Sequence, residues 1–216
     1  MIRHHPSGEI LAGYAAGSIN PGRALVVGLH LDACSQCRDE VALLNGLGGS
    51  LLAQAVPMAL SDGALERMLL RLDKEPAPAR AKDAFPDFLK RFDLPNRLRD
   101  SDIGKRQWLA PGIWFAPIEA EPRSDSRTYL IYGAKSKLLP QHTHPGQELT
   151  VVLKGAYTDD LGHFAQGDFA EADESISHAQ RVTDDGECLC LISSAGPMMP
   201  AGLIARLVQS YAARRY

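Results

Sequence analysis

His30-Leu-Asp-Ala-Cys34-Ser-Gln-Cys37 brings three soft donors together within one short stretch, and its reading decides how the chain before and after it is organised. On a helix, residues three and four apart share a face, so His30 and Cys34 stack and Cys37 follows one turn later. Zinc in a structural site takes four Cys or His ligands in a closed tetrahedron, so a fourth donor must come from elsewhere. His4 and His5, near the N-terminus, are the candidates. A Cys-x-x-Cys also has a redox reading, but that reading expects a βαβ pattern around it, and none is present. The bland alternative is a pair of buried free thiols.

The 216 residues suffice for one large domain or two small ones, and the net charge of -3 argues against a nucleic-acid-binding protein. Any macromolecular partner is therefore expected to be a protein. Four cysteines fall in two close pairs, Cys34/Cys37 and Cys188/Cys190. The opening Met1-Ile-Arg-His-His-Pro6 leads into no apolar h-region, so a cytoplasmic chain with reduced thiols is expected. No apolar run approaches the ~20 residues of a membrane span.

Working outward from the first cluster, Ser7 reads as a cap for a short helix carrying Ile10, Leu11 and Tyr14, and Asn20-Pro21 as cap and first turn of a second. A third helix begins near Ser35 and carries Val41, Leu44, Leu47, Leu51 and Leu52. Gly46, Gly48 and Gly49 interrupt it, which predicts either loose helix or close contacts. Ser61-Asp62 caps a fourth, with Leu65, Met68, Leu69 and Leu72 on one side. So small a helical core leans on a metal or a partner for stability. The Leu65/Met68/Leu69/Leu72 stripe either packs on its own domain or docks into a partner's groove. A Pro-rich, charged stretch follows, and a linker over 76–96 separates a domain of residues 1–75 from one of 97–216.

Beyond the linker the period shortens. Runs such as Thr128-Tyr-Leu-Ile-Tyr132, Glu148-Leu-Thr-Val-Val-Leu153 and Glu187-Cys-Leu-Cys-Leu-Ile192, bounded by Gly, Pro and Asp, predict an all-β barrel or sandwich. A second ligand cluster falls there: His142 and His144, two apart and so on one side of a strand, then Glu148 after Pro-Gly, and His178 further on. Imidazoles with one carboxylate suit zinc, ferrous iron, nickel or manganese. Cys188 and Cys190 share a strand face and read as core, while His163 reads as a solvated turn residue.

In this order the two clusters resemble the zinc-binding anti-sigma factors of the ChrR type, over nearly the whole chain. The resemblance is carried by Arg3-His4-His5-Pro6, Tyr14-Ala-Ala-Gly17 and His30-x-x-x-Cys34-x-x-Cys37. The C-terminal half is similar to a cupin, with His142, His144, Glu148 and Gly155 in the first cupin motif and Gly167 and His178 in the second. It departs from that pattern at Ser136, where a Gly is usual, and at Asp173, Ser175 and Val182, which leaves the ligand set intact.

The resemblance implies an α+β chain of two domains, a small zinc-stabilised helical bundle and a jelly-roll cupin barrel. It implies His5 as the fourth zinc ligand beside His30, Cys34 and Cys37, and zinc or another divalent transition metal in the cupin. It further implies that the helical domain binds an ECF-type sigma factor and blocks its surface for core RNA polymerase. The cupin would sense singlet oxygen or a related oxidant, through Cys188/Cys190 or a metal ligand, or release would follow proteolysis at the linker. The open edges of a small barrel can also pair two copies when no sigma factor is bound. A reading from another class is a metal-dependent cupin enzyme, a dioxygenase or isomerase, whose helices serve assembly.

Overall fold

The computed structural model describes residues 1–72, 85–119, 126–196 and the backbone of 199–200. Helix α1 (Gly8–Ala15) starts where Ser7 Oγ accepts from Ile10 N, and α2 (Pro21–Ala33) where Asn20 Oδ1 accepts from Arg23 N at 2.9 Å. Both caps stand where the sequence puts them. The third helix begins at Ser35, as the sequence has it, but the helical spacing applied to His30, Cys34 and Cys37 is corrected, because it does not run through Cys34. Cys34 has extended backbone (φ -109°, ψ 108°), and α3 (Ser35–Gln54) begins immediately after it. Cys34 N still bonds His30 O at 2.9 Å, so His30 and Cys34 keep their one-turn stacking while Cys37 arrives from the first turn of a new helix.

Helix α3 runs without a break through Gly46, Gly48 and Gly49, and a Cβ added at any of them would meet nothing within 4 Å. The glycines therefore do not interrupt the helix, and among the described residues they mediate no close contacts. Of its apolar residues Val41 is buried, whereas Leu43, Leu47, Leu51 and Leu52 face outward. Helix α4 (Ala64–Leu72) buries no residue.

The first part of the expected linker lies outside the described residues. Its second part, from Phe85, packs on the β structure: 3-10 turns at Asp87–Leu89 and Asn96–Leu98 bury Leu89 and Leu98, and Phe88 meets Trp114 edge to face at 5.3 Å. Asp32 of α2 takes two guanidinium nitrogens of Arg97, at 2.8 and 3.0 Å.

Among the described residues twelve strands follow: β1 (Asp102–Ile103), β2 (Gln107–Ala110), β3 (Ile113–Glu119), β4 (Arg127–Gly133), β5 (Leu138–Thr143), β6 (Glu148–Lys154), β7 (Ala156–Asp159), β8 (Gly162–Ala165), β9 (Phe169–Ala172), β10 (His178–Val182), β11 (Cys188–Ser194) and β12 (Met199–Pro200). They form two antiparallel sheets, ordered β1-β3-β4-β11-β6-β9 with β2 on β3, and β12-β5-β10-β7-β8. The fully buried runs Glu148–Leu153 and Cys188–Ser194 are the central pair β6 and β11, covered on one face by the second sheet and on the other by helix. Ser136, at the position where cupins carry a glycine, has φ 61°, which accounts for that preference.

The helices do not keep a core of their own. Leu11, Val26, Val27 and Leu29 join Leu130, Leu149, Val151 and Leu191 in one cluster, each such side chain contributing about 1.5–3 kcal/mol on full burial. Contact is close where α2 crosses the sheet. A Cβ added at Gly22 would fall inside contact distance of Thr128 Oγ1 and 3.1 Å from Ser193 Oγ. Among the described helices, none is long and apolar enough to cross a membrane.

Candidate metal centres

The helix break at Cys34 and the N-terminal segment build the first centre. His5 Nδ1 lies 3.4 Å from Cys34 Sγ and 3.3 Å from Cys37 Sγ, and His30 Nε2 lies 3.3 Å from Cys37 Sγ. Ligand atoms of all four residues fall within 4.8 Å of one another. Bonds of about 2.0–2.3 Å put the edges of a zinc tetrahedron near 3.5 Å, so the spacing fits a four-coordinate ion. Of the two candidates left open, His5 is brought to the cage. His4 turns away, with Nε2 donating to His163 O at 3.1 Å and its ring on Phe164 at 4.3 Å.

Burial keeps two of the four donors uncharged. His30 is fully buried, and that burial holds its imidazole below the usual range. Burial and the neighbouring Cys34 thiol push Cys37 up to about 12. A neutral imidazole and a thiol that ionises only with help are what an incoming zinc ion converts into ligands, expelling protons as it binds.

The second centre lies inside the barrel. His178 opens β10 directly opposite His142 of β5, and Glu148 opens β6. Ligand atoms of His142, Glu148 and His178 fall within 4.8 Å of one another. His144 stands at the margin of this group, its Nε2 3.9 Å from Glu148 Oε1. All four side chains are buried, and His144 Nε2, Glu148 Oε2 and His178 Nε2 have no hydrogen-bond partner among the described residues. Buried polar atoms left unpaired cost about 1–3 kcal/mol each, and here they converge, which is the arrangement a metal ion satisfies. Burial lowers His142 to about 4 and raises Glu148, the latter opposed by His144, His178 and the Tyr129 hydroxyl.

Each imidazole is oriented through its other nitrogen. His142 Nδ1 donates to Pro140 O at 2.9 Å, His144 Nδ1 to Gly146 O at 3.2 Å, and His178 Nδ1 to Asp159 Oδ2 at 3.3 Å. Asp159, with its side chain 1% exposed, is a carboxylate–histidine support that sequence reasoning missed. Its Oδ1 also accepts from Leu161 N and Gly162 N, and that turn chemistry is the only trace it leaves in the sequence. Cys188 and Cys190 are buried with sulfurs 3.6 Å apart, in the core as expected. His163 is on β8 rather than in a turn, although it is exposed.

A four-helix segment closed by a His/Cys cage and fused to a cupin barrel with a His/Glu centre is the class of protein that fold and sites define. A family model described as ChrR cupin-like domain matches residues 101–197. The chain is 34% identical to the anti-sigma-E factor ChrR of Cereibacter sphaeroides, over 97% of this chain and 98% of that protein. It also superposes on ChrR in the crystal structure of Rhodobacter sphaeroides SigE in complex with the anti-sigma ChrR. That match has a TM-score of 0.72 and 31% identity, and covers 90% of this chain and 99% of the other. The chain belongs to the ChrR family of anti-sigma factors.

Proposed function

We propose that this chain is a cytoplasmic anti-sigma factor whose helices bind an ECF-type sigma factor and keep it from core RNA polymerase. His5, His30, Cys34 and Cys37 hold zinc. His142, His144, Glu148 and His178 hold zinc or another divalent transition metal in the cupin, which responds to an oxidant such as singlet oxygen. The observation that carries the reading is the apolar surface left on the helices. Leu65, Met68, Leu69 and Leu72 of α4 are 51–73% exposed, and Leu43, Leu47, Leu51 and Leu52 of α3 are exposed with them. Contiguous apolar surface on a folded chain marks an interaction site, and two amphipathic helices offering it suit a protein groove. The ChrR relative, whose structure was solved with SigE, supports the choice of partner.

The zinc supplies a cross-link between the N-terminal segment and the α2–α3 corner, so its binding free energy counts as folding free energy. The cupin centre is the part able to react with small molecules, and it must disfavour the partner-bound arrangement by a few kcal/mol to release it. Coexpression with an ECF-type sigma factor from the same genome should give a complex of one copy each. The triple substitution Leu65→Ser, Met68→Ser, Leu69→Ser should abolish it with little effect on the melting temperature, because none of these side chains is buried in the free chain. A complex that survives the triple substitution removes α4 from the interface, and failure to retain any such sigma factor overturns the reading. Oxidant should release the partner from the parent chain and not from His178→Ala; equal release from both would dismiss the cupin centre as the sensor.

A further inference from the structure

The N-terminal segment that delivers His5 is held by the cupin and makes few bonds to the helices. Strand β9 is the edge of its sheet, and an unpaired edge invites a further strand. Residues 3–7 lie along it. Arg3 N and His4 N both donate to Asp168 Oδ1, at 2.7 and 3.1 Å, and Phe169 N donates to His4 O at 3.1 Å. Past His5, Ser7 N donates to Glu171 Oε1 at 2.6 Å and Ser7 Oγ to Glu171 Oε2 at 3.1 Å. His5 is thus clamped on both sides by one cupin strand and the turn before it.

That same turn reaches the other histidine of the cage. His30 Nδ1 donates to Gly167 O at 2.8 Å, which fixes the tautomer that leaves Nε2 for the ion. Gly167 has φ 91°, and an added Cβ there would press on the Ile2 side chain, whose Cδ1 would lie 2.9 Å away, and come within 3.6 Å of Ala33 Cβ, so both the N-terminal segment and α2 sit against this turn. Asp168 is 2% exposed, and its second oxygen accepts from Ala165 N at 2.9 Å. A buried carboxylate spent entirely on backbone amides of two segments is a costly feature unless those segments must stay in register.

We propose that the zinc cage is an inter-domain site, with the Gly167–Asp168 turn and β9 of the cupin as its outer shell, and that Asp168 and Gly167 are positioning residues setting zinc affinity. The inference rests on the cage holding zinc and adds that the cupin governs how tightly. Strand β9 is also paired with β6 in the register Glu148↔Ala172, so the support of one centre is hydrogen-bonded to a ligand strand of the other.

The test titrates the purified full chain, and its Asp168→Asn and Gly167→Ala variants, with cobalt(II) and then competing zinc. Thiolate-to-cobalt charge-transfer absorption reports only the centre that contains cysteine, so the cupin centre does not interfere. Outer-shell changes cost typically 10–100-fold in metal affinity, and a loss of about that size is expected in both variants. Absence of the band in the parent chain overturns the cage itself. A normal band in the parent, with both variants within twofold of it, overturns the inference alone. If Asp168→Asn does not fold, Glu171→Gln, which loosens only Ser7, carries the measurement with about a tenfold loss expected, and an unchanged affinity there counts against the proposal.

Discussion

Replacing Gly22 by Ala should test most directly whether the helices and the barrel form one cooperative unit. In an isolated helix the change is favourable, by up to ~1 kcal/mol. In this fold the new methyl enters the space of Thr128 Oγ1, on a side chain 5% exposed, with Thr128 Cβ 3.3 Å and Ser193 Oγ 3.1 Å away. Overpacking of this kind costs about 1–3 kcal/mol. The Thr128 hydroxyl makes only a 3.4 Å contact to Ser193 Oγ, but turning it away brings the threonine methyl into the same space. A net loss of about 1–2 kcal/mol follows. For a domain of this size it should lower the melting temperature by roughly 2–8 °C.

The assay is calorimetric melting of Gly22→Ala, Thr128→Ala and the double variant. With the hydroxyl and methyl of Thr128 removed, Gly22→Ala should become neutral or stabilising, a coupling of at least about 1 kcal/mol between residues that only the inter-domain contact brings together. If Gly22→Ala melts within a degree of the parent, or if its effect is the same in both backgrounds, α2 does not press on β4 as described.

Asp159→Asn should weaken metal binding at the cupin centre by about 10–100-fold in chelator competition while leaving the cobalt–thiolate band intact, since Asp159 supports His178 alone among the ligands. Zinc uptake by the metal-free chain at pH 7 in weak buffer should release at least one proton per ion, because Cys37 is pushed up to about 12 and starts as a thiol; an indicator dye showing none would contradict this. The metal-free chain should also lose stability as pH falls. His142 is lowered to about 4 in the fold from its ordinary 6.5, so the unfolded chain binds the proton more readily. The contribution is complete above pH 6.5 and is lost between there and pH 4, by up to roughly 3 kcal/mol. A melting temperature that stays flat from pH 7 to pH 5 would count against it.

The parts legible in the sequence were those written locally. Helix caps at Ser7 and Asn20 are bonds spanning three residues, and the alternation of β4 and the unbroken apolar run of β11 are local patterns. The donor residues of both centres could be named because metals need particular side chains at short spacings. The geometry joining them was less legible. The start of a third helix near Ser35 was legible, but helical spacing was still applied across His30, Cys34 and Cys37, since nothing in Cys-Ser-Gln-Cys announces extended backbone at Cys34. A strand was read at His142 and His144 from the ligands alone, but the apolar pattern outlined neither β5, which ends at Thr143 before His144, nor β10, because Leu138–Thr143 and His178–Val182 mix polar ligands with apolar residues.

What escaped the sequence altogether is whatever supports the ligands from far away. Gly167 lies 137 residues from His30, and Asp168 lies 165 from Arg3; neither contact leaves a periodicity or motif near either partner. A turn such as Gln166-Gly-Asp168 reads from sequence as a loop between strands, with Gly free to take positive φ and Asp free to bond its own neighbours. Asp168 does bond Ala165 N in that way, and its remaining oxygen goes to the N-terminal segment instead. The same holds for the apolar helices: a separate domain was read because seventy residues of amphipathic helix suggest a core, yet α2, with Val26 and Leu29, packs on β6 and β11, and the helical and barrel side chains form one cluster. Helix α2 spends its inward face on the barrel, whereas α4 buries no residue and most of the leucines of α3 stay exposed, so these two helices have apolar surface left to offer. The cupin therefore serves the helical segment as its core and as the shell of its metal cage. A change inside the barrel has only the β6–β9 ladder to cross before it reaches the residues that hold His5.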